Sequence, residues 1–418
     1  VHMSAWAAAI DSLSWEYDVL FVVSAGNIPP INKHPSTFRP SITEHLQNGR
    51  GYPDYLLEPS GRIANPAQSL QAITVGSVGL AQLDHDGVKS FSVYQRPSSF
   101  SCTGPGIFGS IKPEVVEFGG CFAYDANHPP GILTKPELSP ELVCSTLHGG
   151  QAVRRDQVGT SFAAPKVAHI LAHIQREFPD ESTLLYRALL VHSARWPGWA
   201  DQEADKYKVV RHIGYGLPDL DRAIRNTPYR ITFITHGEVR IAGKQVHIYE
   251  IMIPYELRRP GNHFDIRIDV TLSYKAQPRR TRRNRRRYLS TWLEWETSRR
   301  NESFDAFLSR MVLLANADEL RRADEKGDTI SWTIGKQGNH GKVRGISRND
   351  STIQKDWAYI KSYEWDQGFY IAVIGHMGWN TDMNATVPYA LAVSFEAVNE
   401  DIAIYAPIRI MNEVEIKY

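Results

Sequence analysis

A glycine and two hydroxyl residues stand ahead of an apolar run at Gly159-Thr160-Ser161-Phe162-Ala163-Ala164-Pro165. The run continues through Val167, Ala168, Ile170, Leu171 and Ala172 to Ile174, which predicts a buried helix with Ser161 in or next to its first turn. A hydroxyl there meets unpaired N–H groups and the positive end of the helix dipole, both of which favour a negative oxygen. Pro165 falls close enough to the start to cost at most about one helical hydrogen bond. Gly159 has no side chain, so another backbone can come close to the serine. These residue types suit a nucleophilic serine; they also suit a plain N-cap on a core helix.

The elements needed to position such a serine can be read in order. An amphipathic helix is expected at about 4–17 (Trp6, Ala7, Ile10, Leu13, Tyr17), then a strand covered on both faces at Val19-Leu20-Phe21-Val22-Val23. That strand ends at Ser24-Ala25-Gly26-Asn27, and in an open α/β sheet ligands bind beyond the carboxyl ends of the strands. Residues 28–63, rich in Pro, His, Asn and Gly, read as a long excursion. A second buried strand is expected at 72–78, a polar loop at 121–157, and an amphipathic surface helix at 181–194. After Gly214-Tyr215-Gly216-Leu217-Pro218-Asp219 and a short helix to about Asn226, the texture changes to alternating apolar residues. Strand-like runs recur at 231–233, 246–253, 264–272, 288–295, 330–334, 369–374, 389–395 and 402–410, with a helix at about 304–323, which argues for an antiparallel sandwich.

Gly159–Pro165 resembles the nucleophile motif of the subtilisin-like serine proteases, Gly-Thr-Ser-x-Ala-x-Pro. The glycine-flanked elbow of α/β-hydrolases does not fit, because Ala163 stands where its second glycine is needed. Ser24-Ala25-Gly26-Asn27, Asn65-Pro66-Ala67 with Ala72–Gly76, Ser99-Phe100-Ser101 with Gly104-Pro105, and Lys112-Pro113-Glu114 are similar to family segments in the same order over roughly 4–227. The resemblance implies that Ser161 forms the acyl intermediate, that the Asn27 amide donates to the oxyanion, and that Ser24, Ala25, Gly26, Gly159 and Thr160 line the substrate. It implies a fold of class α/β, a partial subtilisin-like parallel sheet with flanking helices over 1–227. An all-β, jelly-roll-like sandwich domain would follow over 228–418, by a looser architectural likeness to kexin-like relatives. Calcium is common in the family, yet no ligand cluster here places a site, so no cofactor is expected.

The same family order puts an Asp and a His ahead of the Asn. Upstream of Asn27 stand only Asp11, Asp18 and His2, none in a matching context, and His148-Gly149-Gly150 fits the family's His motif poorly. The expectation is therefore a serine endopeptidase whose triad Asp and His lie on an upstream segment, with a polypeptide as substrate. A catalytically inactive pseudoprotease or interaction module is the alternative.

A net charge of +1 over 418 residues argues against a general nucleic-acid or membrane-surface role. Arg279–Arg287 is a local exception, expected as a solvated loop, with an acidic partner, a self-cleavage site or nucleic acid as the sharper readings. Three cysteines, Cys102, Cys121 and Cys144, make no disulfide framework and point to the cytoplasm. No apolar run reaches the roughly 20 residues of a membrane span. Gly104-Pro105-Gly106-Ile107-Phe108-Gly109 follows no strand and opens no helix, so it is no dinucleotide site.

Overall fold

The computed structural model describes residues 2–32, 39–128, 131–133, 143–144, 155–281, 288–316, 330–338, 341–366 and 368–412, with backbone alone at 131–133, 143–144 and 155–157. Arg282–Arg287 of the arginine run and His148 lie outside them. Helix α1 (Ala5–Tyr17) starts where the Ser4 hydroxyl accepts from Ala7 N–H, and it buries Ala7, Ala8, Ile10 and Asp11. It leads to β1 (Val22–Ser24), which lies parallel to β2 (Ile73–Val78), which in turn lies parallel to β5 (Val115–Phe118). Every residue of β2 is buried, as a central strand requires, whereas β1 is half-buried and its only strand partner among the described residues is β2.

Residues 28–63 are more structured than their composition suggests. They carry α2 (Ile42–Gln47), opened by a reciprocal capping box between Ser41 and Glu44. With Ile28, Tyr55, Leu56, Ile63, Phe100 and Cys102 they form a separate small core beside the carboxyl end of β1. Short antiparallel strands β3 (Asp84–His85), β4 (Val88–Ser90), β6 (Ala123–Asp125) and β7 (Gly131–Leu133) make a second sheet there; β8 (Val143–Cys144) pairs with β9 (Arg155–Gln157).

Helix α3 (Thr160–Glu177) packs Ala163, Val167, Leu171 and Ile174 into the core that contains β2, β5 and α4 (Thr183–Ser193). The sequence predicts α4 as a surface helix, but every residue from Leu184 to Ser193 is buried. Its outer face is covered by the sheet of the C-terminal half, which gives its polar residues partners. Arg187 donates to Leu70 O and to the Thr352 hydroxyl, and His192 bridges the hydroxyls of Thr271 and Ser394.

That half is built of two antiparallel sheets. One orders β10 (Arg230–Ile234), β17 (Thr386–Ala397), β13 (Asp265–Tyr274) and β15 (Ile353–Lys361), with β11 (Val239–Ala242) also on β17. The other orders β12 (Val246–Met252), β16 (Gly368–Met377) and β14 (Thr291–Thr297). Two strand expectations fail. Residues 330–334 form no strand, and 402–410 falls mostly in the helix Tyr405–Asn412; Ile404 just before it and Ile408 within it are buried four residues apart, and Ile410 is left 74% exposed. The helix Phe304–Asn316 lies on the outer face of β12 and β16; positions 317–323 lie outside the described residues.

The two halves meet through buried charge. The Asp269 carboxylate takes Arg195 at 3.0 Å and Arg267 at 2.9 Å. Burial works to raise that carboxyl, but Arg267 and Lys355 hold it below its usual range. Lys355 caps α4 by donating to Val191 O at 3.1 Å and His192 O at 2.9 Å, and burial pushes its ammonium down to about 7. Asp11 ties α1 to the segment before β2 and to the C-terminal half: its carboxylate accepts from Ser69, Leu70 N–H, Gln71 N–H and the Tyr288 hydroxyl.

Candidate active site

The serine and the asparagine of the sequence reading, 134 residues apart, meet at the amino end of α3. The chain leaves β1 through Ala25, whose N–H donates to Val75 O and whose carbonyl accepts from Ala64 N–H. Gly26 follows at φ +102°, a conformation that favours glycine, with Ala64 and Cys102 filling the space a Cβ would need. Its carbonyl accepts from Cys102 N–H, and Ile28 N–H donates to Phe100 O. Asn27 is thereby held in a short strand-like frame, with its side chain exposed.

Thr160, the first residue of α3, ties that frame to the helix. Its hydroxyl accepts from Gly26 N–H at 3.2 Å and donates to Asn27 Oδ1 at 3.0 Å, while its own N–H donates to the same Oδ1 at 2.9 Å. Two donors on one atom fix which end of the amide is oxygen. Asn27 thus caps α3 from a distance, satisfying one of the orphan N–H groups of its first turn. Its amide nitrogen has no acceptor among the described residues and lies 3.3 Å from where a Gly159 Cβ would sit.

Ser161 is the next residue, in the first turn, exposed, and without a hydrogen-bond partner for its hydroxyl among the described residues. The turn before it is held by Gly159 N–H donating to Gly119 O at 2.9 Å. A Cβ on Gly119 would stand 2.6 Å from Gly159 O, so the two strands of chain pass too close for any side chain there. Gly119 was not singled out in the sequence, although the Gly119-Gly120 pair after an apolar run is a signal of close backbone approach.

The structure thus brings Asn27, Gly159, Thr160 and Ser161 together and places Gly26 directly behind them. Ala25 is buried with both backbone groups engaged, and Ser24 is half-buried on β1. No described imidazole or carboxylate is hydrogen-bonded to Ser161. His169 and His173 share its helix but lie about 12 and 18 Å along the axis. Asp11 is occupied as described above, and Asp18 accepts from Thr183 and Lys275. Chemically, the arrangement offers an exposed hydroxyl at a helix amino end beside an amide donor whose orientation is fixed. Those are the parts that attack a carbonyl and stabilise the resulting oxyanion.

The model of the subtilase family, Peptidase S8, matches residues 2–216, just over half of the chain. A curated relative, the uncharacterized protein y4bN of Sinorhizobium fredii (strain NBRC 101917 / NGR234), is 35% identical over 293 residues. That match covers 67% of this chain and 64% of the relative, so the chain spans just under two thirds of the relative's length. Among solved structures, MycP1 from Mycobacterium smegmatis is similar over 50% of this chain and 42% of its own, at 20% identity and a TM-score of 0.25. The Aeromonas sobria serine protease in complex with its chaperone ORF2 is similar over 90% and 71%, at 11% identity and a TM-score of 0.23.

Proposed function

The chain belongs to the subtilase family, and from that premise we propose that it is the nucleophile-bearing part of a serine endopeptidase. In this reading Ser161 Oγ gives its proton to the base and attacks the scissile carbonyl of a polypeptide; the tetrahedral intermediate then breaks its C–N bond, the amine leaves with that proton, and the acyl-enzyme remains. The Asn27 amide N–H donates to the oxygen on which negative charge develops, and the positive end of the α3 dipole favours that charge. Water then releases the acyl group. The observation that carries the reading is the Thr160 bridge, because it sets the donor beside the nucleophile at the moment it fixes the helix.

The base and the acid that orients it come, in this proposal, from an upstream segment of the same protease. Two features support that assignment. Ser161, Pro165, Ala168, His169 and Ala172 leave one side of α3 exposed and lined mainly by small residues, suited to close covering by another element. Val19 is 44% exposed and Tyr17 62%, next to a β1 edge that carries no strand among the described residues. Loss of the histidine in subtilisin costs about 10⁶ in turnover, so the chain by itself should show almost none. Cys102 and Cys121 are buried, and the cytoplasm stays the proposed compartment on the cysteine count of the sequence. No helix among the described residues is long and apolar enough to cross a membrane.

The test is labelling by a fluorophosphonate with and without the upstream segment supplied in trans. Modification confined to Ser161 and dependent on the segment is the expected result. Absence of labelling under every condition would sink the proposal and favour a partner-binding module built on an inactive protease fold.

A further inference from the structure

We propose that His169 and His173 form a two-imidazole chelate for a borderline divalent transition ion such as Ni²⁺, Zn²⁺ or Cu²⁺. The two residues are four apart on α3, a helix with no break from Thr160 to Glu177, so their side chains rise from the same face one turn apart. Their ring centroids are 4.5 Å apart and the rings meet edge to face. A tetrahedral ion with metal–nitrogen bonds of about 2.0–2.1 Å needs its two nitrogens roughly 3.4 Å apart, which modest rotation of either ring supplies. The helix fixes both backbones, so little freedom remains to be lost on binding.

What marks this pair is that two imidazoles stand one turn apart on one helix face and neither has an internal use. His192 is held between two hydroxyls, His45 meets the Ser60 hydroxyl, His247 the Tyr389 hydroxyl, and His236 the Glu181 carboxylate. Neither ring nitrogen of His169 or His173 has a hydrogen-bond partner in the described chain, and His169 is exposed. The nearby ammonium of Lys166 is turned away, donating to Phe118 O at 2.8 Å. Imidazole pairs of this kind suit nickel, copper and zinc over calcium or magnesium, which prefer oxygen ligands. Among the described residues no group of three or more His, Cys, Asp and Glu side chains converges, so water or a group from outside fills the remaining positions. The ion would lie well beyond reach of Ser161 and therefore outside the acyl-transfer chemistry; its effect would be on how this side of α3 is covered.

The site is tested on the full 418-residue chain by calorimetric titration with NiCl₂ and with ZnCl₂ in a non-coordinating buffer. The wild-type chain should bind one ion more than the His169→Gln/His173→Gln double variant. Each single substitution should weaken that ion at least about tenfold, because the chelate is lost and not merely one ligand. His236→Gln, another exposed histidine, should leave it unchanged. Circular dichroism of the variants guards against misfolding, and chemical-shift changes of the two imidazoles on adding Zn²⁺ give a second readout that needs no substitution. Equal binding by wild type and double variant would overturn the proposal, as would failure of the wild-type chain to bind either ion. Because no step requires the upstream segment or peptidase activity, such a failure leaves the protease reading standing, and the reverse also holds.

Discussion

Asn27 does two jobs with opposite ends of one amide, and substitution can separate them. Oδ1 accepts both the N–H and the hydroxyl of Thr160 and so caps α3, whereas the nitrogen is free to donate to an oxyanion. Asn27→Asp keeps an acceptor in the capping position and adds a negative charge at the positive end of the helix, worth roughly 0.3–1 kcal/mol in its favour. Asn27→Leu removes the acceptor and should cost about 1 kcal/mol, up to about 2 because the Thr160 hydroxyl loses its acceptor as well. Both variants lose the donor. In the assembled enzyme each should therefore fall by about 10²–10³ in turnover, a range that comes from the corresponding substitution in subtilisin and is not worked out from this chain. Urea unfolding of the chain, followed by tryptophan fluorescence, reads the first effect; the rate of segment-dependent fluorophosphonate labelling reads the second. Asn27→Asp should unfold within about 0.5 kcal/mol of wild type or above it, and Asn27→Leu clearly below. If Asn27→Asp proves as unstable as Asn27→Leu, or if it keeps the wild-type labelling rate, the division of labour argued from the two ends of the amide is wrong.

Three further outcomes follow from the packing. Burial pushes His192 and His212 down to about 3, so both stay neutral in the folded chain while the unfolded chain protonates them near 6.5. Stability is then complete above about pH 6.5 and falls toward pH 3, by up to about 2.7 kcal/mol per unit when both act; a urea midpoint flat from pH 7 to 4.5 would contradict this, and His192→Gln should roughly halve the slope. Gly119→Ala puts a methyl 2.6 Å from Gly159 O, so the turn before Ser161 must move. Labelling should slow by more than the loss of about 1–3 kcal/mol in stability explains, and an unchanged rate would show that the turn has slack. Asp11→Ala strands two buried backbone N–H groups and the hydroxyls of Ser69 and Tyr288, and should cost about 3 kcal/mol or more; a loss below about 1 kcal/mol in urea unfolding would mean that water replaces the carboxylate.

How far the sequence could be read depended on whether the forces at a position were local. The α3 start was legible because glycine, two hydroxyls and an apolar period announce a helix end whatever surrounds it, and β2 was legible because a central strand is apolar on both faces. The capping box at Ser41 and Glu44 is equally local, but the composition around it reads as loop. Helix α4 could not be placed correctly in this way. Its pattern has polar residues where an amphipathic helix would show them to water, and nothing nearby says that Arg187 will meet Leu70 and Thr352, or that His192 will meet Thr271 and Ser394. Thr352, Thr271 and Ser394 lie 79 or more residues later in the chain, and Leu70 lies 117 residues earlier. The same holds at the site. The motif marks Thr160 as a neighbour of the substrate, but its contact with Asn27 is a long-range event that only the folded parallel sheet creates. A polar residue on a helix therefore reports its own chemistry from sequence and its environment only from the fold. This is why Ser161 is legible in the sequence as a hydroxyl at a helix start, while the contact that orients the Asn27 amide is not.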